Sequence, residues 1–203
     1  MRVYRIPFST NVERVALAAG HKGLEITWVD SDPDDRSAVR AVSGQELVPV
    51  LEADGEVVAD STAIIEWLEE RHPEPPLYPG DEARRAEAAV FVDWFNRVWK
   101  RPPNLITAEL ARPEPDVRRV EELGARLRSW LDLFERLLAG LEYLLGEFSV
   151  ADCIAFPFLK YPVLGLPAGD DHPFHRVLVE HMPLQGQRGV EAWVRRVDER
   201  PRA

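Results

Sequence analysis

Val48-Pro49-Val50-Leu51-Glu52-Ala53-Asp54-Gly55-Glu56-Val57-Val58-Ala59 is the stretch that decides the fold. Asp-Gly between two β-branched runs is a strong hairpin signal, because the favoured two-residue turn needs positive φ at both central positions. The pattern predicts antiparallel strands over 48–53 and 56–59. Ser61 then opens a helix through Ile64, Ile65 and Leu68. Working upstream, Val3 to Ile6 is a short β-branched and aromatic run that ends at Pro7. Thr10-Asn11-Val12-Glu13 reads as a capping box, with Thr10 as N-cap of a helix carrying Val12, Val15, Ala16 and Ala19 on one stripe. Gly23 supplies its stop. Glu25 to Asp30 alternates with period two, as a strand does, and the polar stretch 31–44 has room for one short helix. The element order is βαβαββα.

Downstream lies His72-Pro73-Glu74-Pro75-Pro76-Leu77-Tyr78-Pro79-Gly80, with four prolines in nine residues, which reads as an extended linker. Charge changes across it: residues 1–80 hold 15 acids and 7 bases, residues 81–203 hold 20 and 18. Beyond the linker only helical periodicity is found. Ala83 to Trp99 places Val90, Phe91, Trp94, Phe95 and Val98 on one stripe, and Pro102-Pro103 is read as its stop. Asp116 to Leu145, Ser149 to Phe158 and Gly189 to Arg200 give further helices. The expected organisation is an α/β domain over 1–79 followed by an all-α helical bundle over 80–203.

Composition removes several classes of function. The chain has 203 residues and a net charge of −10, so there is no basic excess to engage nucleic-acid phosphates. No apolar run approaches the roughly 18 residues of a membrane span. Met1 to Pro7 lacks a signal-peptide core, which points to a cytoplasmic protein. Cys153 is the single cysteine, which excludes an internal disulfide and a cysteine-based metal cluster. It is expected to be buried and inert in its helix. His172 and His175 beside Asp170-Asp171 find no second cluster to complete a metal site and read as a solvated loop.

Three places can carry chemistry. With Thr10 taken as the cap, Ser9 stands one residue outside the first helix, its hydroxyl uncommitted near helix N–H groups that favour an anion such as a thiolate. Read blandly, Ser9 is itself the cap. Val48-Pro49 is either an ordinary proline of an edge strand or of a strand's first residue, or a cis-proline that turns the Val48 backbone towards a ligand, so that an extended peptide pairs with it. Asp60-Ser61 is either a helix cap or a carboxylate site at a helix N-terminus.

In this order, within one βαβαββα unit, these features resemble the glutathione transferase superfamily. Ser9-Thr10-Asn11-Val12-Glu13-Arg14 is similar to its active-site turn, Val48-Pro49-Val50-Leu51 to its cis-proline segment, and Asp60-Ser61 with 62–68 to its acidic-residue-plus-serine motif. Gly146-Glu147-Phe148-Ser149-Val150-Ala151-Asp152 resembles the family's capping box and hydrophobic staple, and Trp193 to Pro201 its closing helix. The resemblance implies a thioredoxin-like N-terminal domain and an all-helical second domain. It implies a cytoplasmic homodimer in a detoxification role, with no covalently bound cofactor, no metal, no nucleic acid and no membrane as partner. Its co-substrate is glutathione or another low-molecular-weight thiol, activated for attack on small hydrophobic electrophiles. Ser9 would donate to the sulfur, with Tyr4 as the competing activator. Thr10, Asn11, Leu47, Val48, Pro49, Asp60 and Ser61 would bind the thiol. Phe8, Phe91, Trp94, Phe95 and Tyr161, with Trp99 nearby, would line an electrophile pocket between the domains. One departure stands out: many members carry a lysine before the Val-Pro pair, and here it is Leu47, preceded by Glu46; Gln45 or Arg40 is the substitute. Two further readings stay open, a thiol-dependent isomerase of the maleylacetoacetate type and a catalytically silent binding or regulatory protein.

Overall fold

The hairpin signal is realised directly. In the computed structural model, which describes residues 1–203, β3 (Val50–Ala53) and β4 (Glu56–Ala59) pair antiparallel across Asp54 and Gly55, both with positive φ. β1 (Arg2–Arg5) pairs antiparallel with β3 and parallel with β2 (Thr27–Asp30), giving the sheet order β2-β1-β3-β4. Strand alternation sends Val3 and Leu51 to one face and Tyr4 and Val50 to the other, where they pack with Val39 of α2 (Ser37–Ser43). The remaining helices of this unit are α1 (Thr10–His21) and α3 (Ser61–Arg71). The chain divides into two compact units, residues 1–80 with 199–203, and residues 81–198. The tail thus groups with the first unit rather than with the helical half.

The second unit is helical: α4 (Glu82–Trp94), α5 (Arg101–Leu110), α6 (Val117–Leu137), α7 (Val150–Leu159), α8 (Tyr161–Leu164), α9 (Pro173–His181) and α10 (Arg188–Asp198). Two expectations are corrected here. Pro102-Pro103 does not end a helical region. A π-helical turn over Phe95–Trp99 follows α4, and both prolines sit in the first turn of α5, where a missing N–H costs no intrahelical bond. The 170–175 segment is no solvated loop. His172 caps α9, its Nδ1 accepting from the Phe174 N–H at 3.2 Å. His175 is buried, with Nδ1 2.8 Å from Asp170 Oδ2. Burial holds this imidazole below its ordinary pKa, so it is neutral and its Nδ1–H donates to the carboxylate. No helix is long and apolar enough to cross a membrane.

The Ser149–Asp152 capping box forms as the motif predicts. Asp152 is fully buried. Its Oδ1 accepts from Leu144 N at 3.1 Å and Trp193 Nε1 at 2.8 Å, and its Oδ2 from Ser149 N at 2.9 Å and Ser149 Oγ at 3.1 Å. One carboxylate therefore joins the loop before α7, the start of α7 and the middle of α10. Burial pushes its pKa up to about 6 against the pull of these donors, so it is ionised at neutral pH. Because the folded-state value lies above that of the unfolded chain, the folded state takes up more protons between about pH 4 and 6, and the Asp152 contribution falls as pH rises through that window. The stability of the wild type relative to Asp152→Asn should therefore decline across it, as read by denaturant melts. Asp152→Ala, which strips the acceptor from several buried donors, should cost at least ~2 kcal/mol at pH 7.

Candidate active site

Helix α1 is capped by Ser9, not Thr10. The Ser9 Oγ accepts from the Val12 N–H at 3.3 Å, and the first helical bond runs from Glu13 N to Ser9 O at 3.0 Å. Thr10 is the first helical residue and is buried. The two neighbouring hydroxyls are indistinguishable by residue type, and the capping-box spacing selected the wrong one. The cap uses one oxygen lone pair; the Ser9 O–H proton remains a donor. Tyr4, the competing thiol activator, is a buried strand residue whose hydroxyl lies 3.3 Å from Glu52 Oε2.

Six of the predicted thiol-binding residues come together. Asn11, Leu47, Val48, Pro49, Asp60 and Ser61 line one cleft of about 310 Å³, completed by Gln45 and Ala59. Thr10 is not among them. The Val48–Pro49 bond is cis, and Val48 lies outside the strand ladder, which starts at Val50. Asp60 has φ 81 and ψ 132, a conformation that costs a non-glycine residue on the order of 1–3 kcal/mol. It is held because its Oδ1 accepts from Thr62 N at 2.8 Å and Ala63 N at 3.3 Å, while its carbonyl accepts from Ile64 N at 3.0 Å. Ser61 is buried, and its Oγ accepts from the Arg14 Nη1 at 3.4 Å. Arg14 is only 1% exposed; a buried arginine on the inner face of a helix gives no signal in the sequence that sets it apart from its solvated counterparts.

Both residues expected to substitute for the lysine before the Val-Pro pair, Gln45 and Arg40, have local partners. Leu47 is 78% exposed. The Gln45 carboxamide is spent on the Leu47 backbone, Nε2 donating to Leu47 O at 2.9 Å and Oε1 accepting from Leu47 N. Arg40 forms an ion pair with Glu46, which also neutralises the acid that would repel a carboxylate.

Ser9 lines a second cleft of about 340 Å³ with Phe8, Val12, Glu13, Asp30 and Arg202 among others. Of the residues expected to line one electrophile pocket, Phe8 is here, 43% exposed on a positive-φ backbone. Phe91 and Trp94 instead line an apolar groove of the second unit with Val90, Leu133 and Leu137. Phe95 and Tyr161 are packing residues: Phe95 stacks on buried Trp99 at 4.4 Å, and Tyr161 stacks on His175 at 4.5 Å while its hydroxyl donates to Asp170 at 3.1 Å. Helical spacing marked Phe95 as inward-facing, and inward here means core. Glu13 and Arg202, 3.3 Å apart in the Ser9 cleft, escaped notice because they are 189 residues apart in sequence.

Comparison with known proteins gives this arrangement its context. Residues 3–76 match the family model described as glutathione S-transferase, N-terminal domain. The chain is 32% identical over 157 residues to a maleylacetoacetate isomerase of Dictyostelium discoideum, covering 73% of this chain and 70% of that protein. It is 39% identical over 93 residues to a maleylacetoacetate isomerase of Pseudomonas aeruginosa, spanning 42% of this chain and less than half, 44%, of that one. A glutathione S-transferase structure from Rhodospirillum rubrum superposes with a TM-score of 0.73 at 28% identity, covering 98% of this chain and 88% of its own. The chain belongs to the glutathione transferase superfamily, with a thioredoxin-like N-terminal part and a helical C-terminal part.

The capping geometry sets an expected outcome. Ser9→Ala should lower stability by about 1 kcal/mol in denaturant melts, Ser9→Asn should restore most of it, and Ser9→Gly should cost only a few tenths. Equal melts for Ser9→Ala and wild type would mean that the cap lies elsewhere.

Proposed function

We propose that this chain is a thiol-dependent enzyme that binds glutathione or a related low-molecular-weight thiol in the cleft of Asn11, Val48-Pro49 and Asp60-Ser61 and turns its sulfur on small hydrophobic electrophiles. The observation that carries this reading is the convergence of those residues on one cleft. The Val48 backbone, outside the ladder, suits pairing with the cysteinyl unit of an extended thiol peptide. Asp60 and Ser61 suit its γ-glutamyl end, the carboxylate facing the ammonium and the start of α3 facing the α-carboxylate. The Ser9 O–H, still a donor after capping, suits a thiolate. One hydrogen bond to a charged group is worth about 1.5–3 kcal/mol, or roughly a 10- to 100-fold gain in rate. The similarity to two proteins named maleylacetoacetate isomerase favours a second reading, in which the same thiolate adds to a cis double bond and leaves again after rotation. Product analysis separates the two, since conjugation consumes the thiol and isomerisation returns it.

Calorimetry with a thiol panel tests the binding. Without a lysine before Val48, γ-glutamylcysteine, which lacks the glycine carboxylate, should bind about as tightly as glutathione. Asp60→Ala should weaken both. Ser9→Ala should lower turnover roughly 10- to 100-fold with little change in thiol affinity. A protein that binds no thiol of the panel would overturn the reading in favour of a silent binding protein.

The reading extends to a homodimer. The groove of about 570 Å³ along α4 and α6 leaves Val90 69% exposed beside Phe91, Trp94 and Leu137. A second copy would bury it in an isologous contact. Sedimentation should show a species of twice 23.1 kDa, and Val90→Asp should shift it to the monomer.

A further inference from the structure

We propose that residues 199–203 form a pH-sensitive strap on α1, latched by His21, whose release takes Arg202 away from the wall of the Ser9 cleft. The inference goes beyond the thiol-binding reading and does not depend on it. The strap follows one stripe of the helix. Arg202 Nη2 lies 3.3 Å from Glu13 Oε1, Ala203 N donates to Ala16 O at 3.1 Å, and Pro201 sits against Gly20. Positions 13, 16 and 20 share a face at helical spacing. Next to Gly20, Arg200 Nη2 donates to His21 Nδ1 at 2.8 Å. The far side of the strap is held by β2, where Trp28 Nε1 donates to Ala203 O at 3.0 Å. Arg202 meanwhile lines the cleft that holds Phe8, Ser9 and Val12.

The latch works in one protonation state only. A guanidinium stays charged and can only donate, so His21 must offer it the Nδ1 lone pair. The ring proton then sits on Nε2, which donates to Pro76 O at 3.2 Å. Protonation sets an Nδ1–H against the arginine N–H and places a second cation beside the first. The charged groups around the ring are Lys22 on α1, Glu69 on α3 and Arg200 on the strap. Lys22 and Glu69 pair with each other at 2.6 Å, which leaves Arg200 as the charge that a protonated ring confronts directly. Burial, with Arg200 and Lys22 adding to it, holds the latched imidazole below its ordinary pKa against the pull of the Pro76 carbonyl. Release removes Arg200 and lets that value rise again. The latched state thus binds the proton less readily than the released one, so the latch is complete above the ordinary histidine range and weakens as pH falls through it. Between the released and the latched value, the ratio of released to latched strap should grow about tenfold per pH unit.

The test follows the Trp28 indole N–H in proton–nitrogen correlation spectra of the full chain, from about pH 8 down to about pH 5. Gly20→Ala gives the reference position of the released strap at any pH, because its Cβ would fall 2.2 Å from Pro201 O while alanine suits the helix better than glycine. The wild-type signal should move with falling pH towards that reference. The Trp67 indole, which donates to Glu56 at 2.7 Å in the same unit, should stay where it is. His21→Gln, which offers an acceptor and a donor without titrating, should make the Trp28 position independent of pH, and Arg200→Gln should do the same by removing the fixed charge. A Trp28 signal that holds its place down to pH 5 overturns the proposal. So does one that shifts with pH in His21→Gln as in the wild type, or one that shifts only together with Trp67, which would report loosening of the whole unit. None of these outcomes touches the thiol-binding reading.

Discussion

Helix α1 is clamped to α3 at both ends by buried cations, and the geometry of the candidate site depends on that clamp. At its C-terminal end the Lys22 ammonium lies 2.6 Å from Glu69 Oε2, 2.6 Å from His72 O and 2.9 Å from Pro75 O, with its side chain fully buried. Taking an ammonium out of water costs several kcal/mol, and only a complete set of partners makes it tolerable. Lys22 has three donors and three acceptors. Glu69 also accepts from the backbone of Leu77 and Tyr78, so one ion pair fixes two helices and the linker together. At the other end Arg14 reaches Ser61. Asn11 and Ser61, which line the same cleft, are therefore carried by one clamped helix pair.

The last five residues belong to this construction. Ala203 N donates to Ala16 O at 3.1 Å, and Trp28 Nε1 donates to Ala203 O at 3.0 Å, which ties the tail to α1 and β2. A side chain at Gly20 would put its Cβ 2.2 Å from Pro201 O, so glycine is what lets the tail lie against α1. Burial, with Arg200 beside it, keeps the His21 imidazole below its ordinary pKa. The neutral ring accepts from Arg200 through Nδ1 at 2.8 Å and donates through Nε2 to Pro76 O at 3.2 Å. Arg202 follows and becomes a wall of the Ser9 cleft.

Local signals and long-range ones were unequally visible. The hairpin, the order βαβαββα and the Asp152 capping box are written in residues a few positions apart, and all three are present. Reading Pro102-Pro103 as a stop failed because proline is forbidden only in a helix interior, and nothing nearby told that a new first turn began there. The helix after Asp170 was missed because His172 and Asp170 are polar and lie beside a proline. Their partners, His175 and Tyr161, become visible only once α8 and α9 meet. Phe95 shows the same limit in the opposite sense: helical periodicity tells which side chains turn inward, but not whether inward leads to a core or a cavity.

The choice between cap and functional group, posed at Ser9 and again at Asp60-Ser61, was not a choice. A capping side chain uses an acceptor, since the orphan groups at a helix N-terminus are N–H donors. The donor of the same hydroxyl and the second oxygen of the same carboxylate are left over. At Asp60 only Oδ1 serves the helix, and the strained φ that brings it there also sets the carboxylate on the cleft wall. At Ser9 the bond from Val12 orients the hydroxyl oxygen without spending its proton. Capping thus positions the Ser9 hydroxyl and the Asp60 carboxylate at the starts of α1 and α3, and under the proposed function these helix ends, rather than the apolar faces, would meet the thiol.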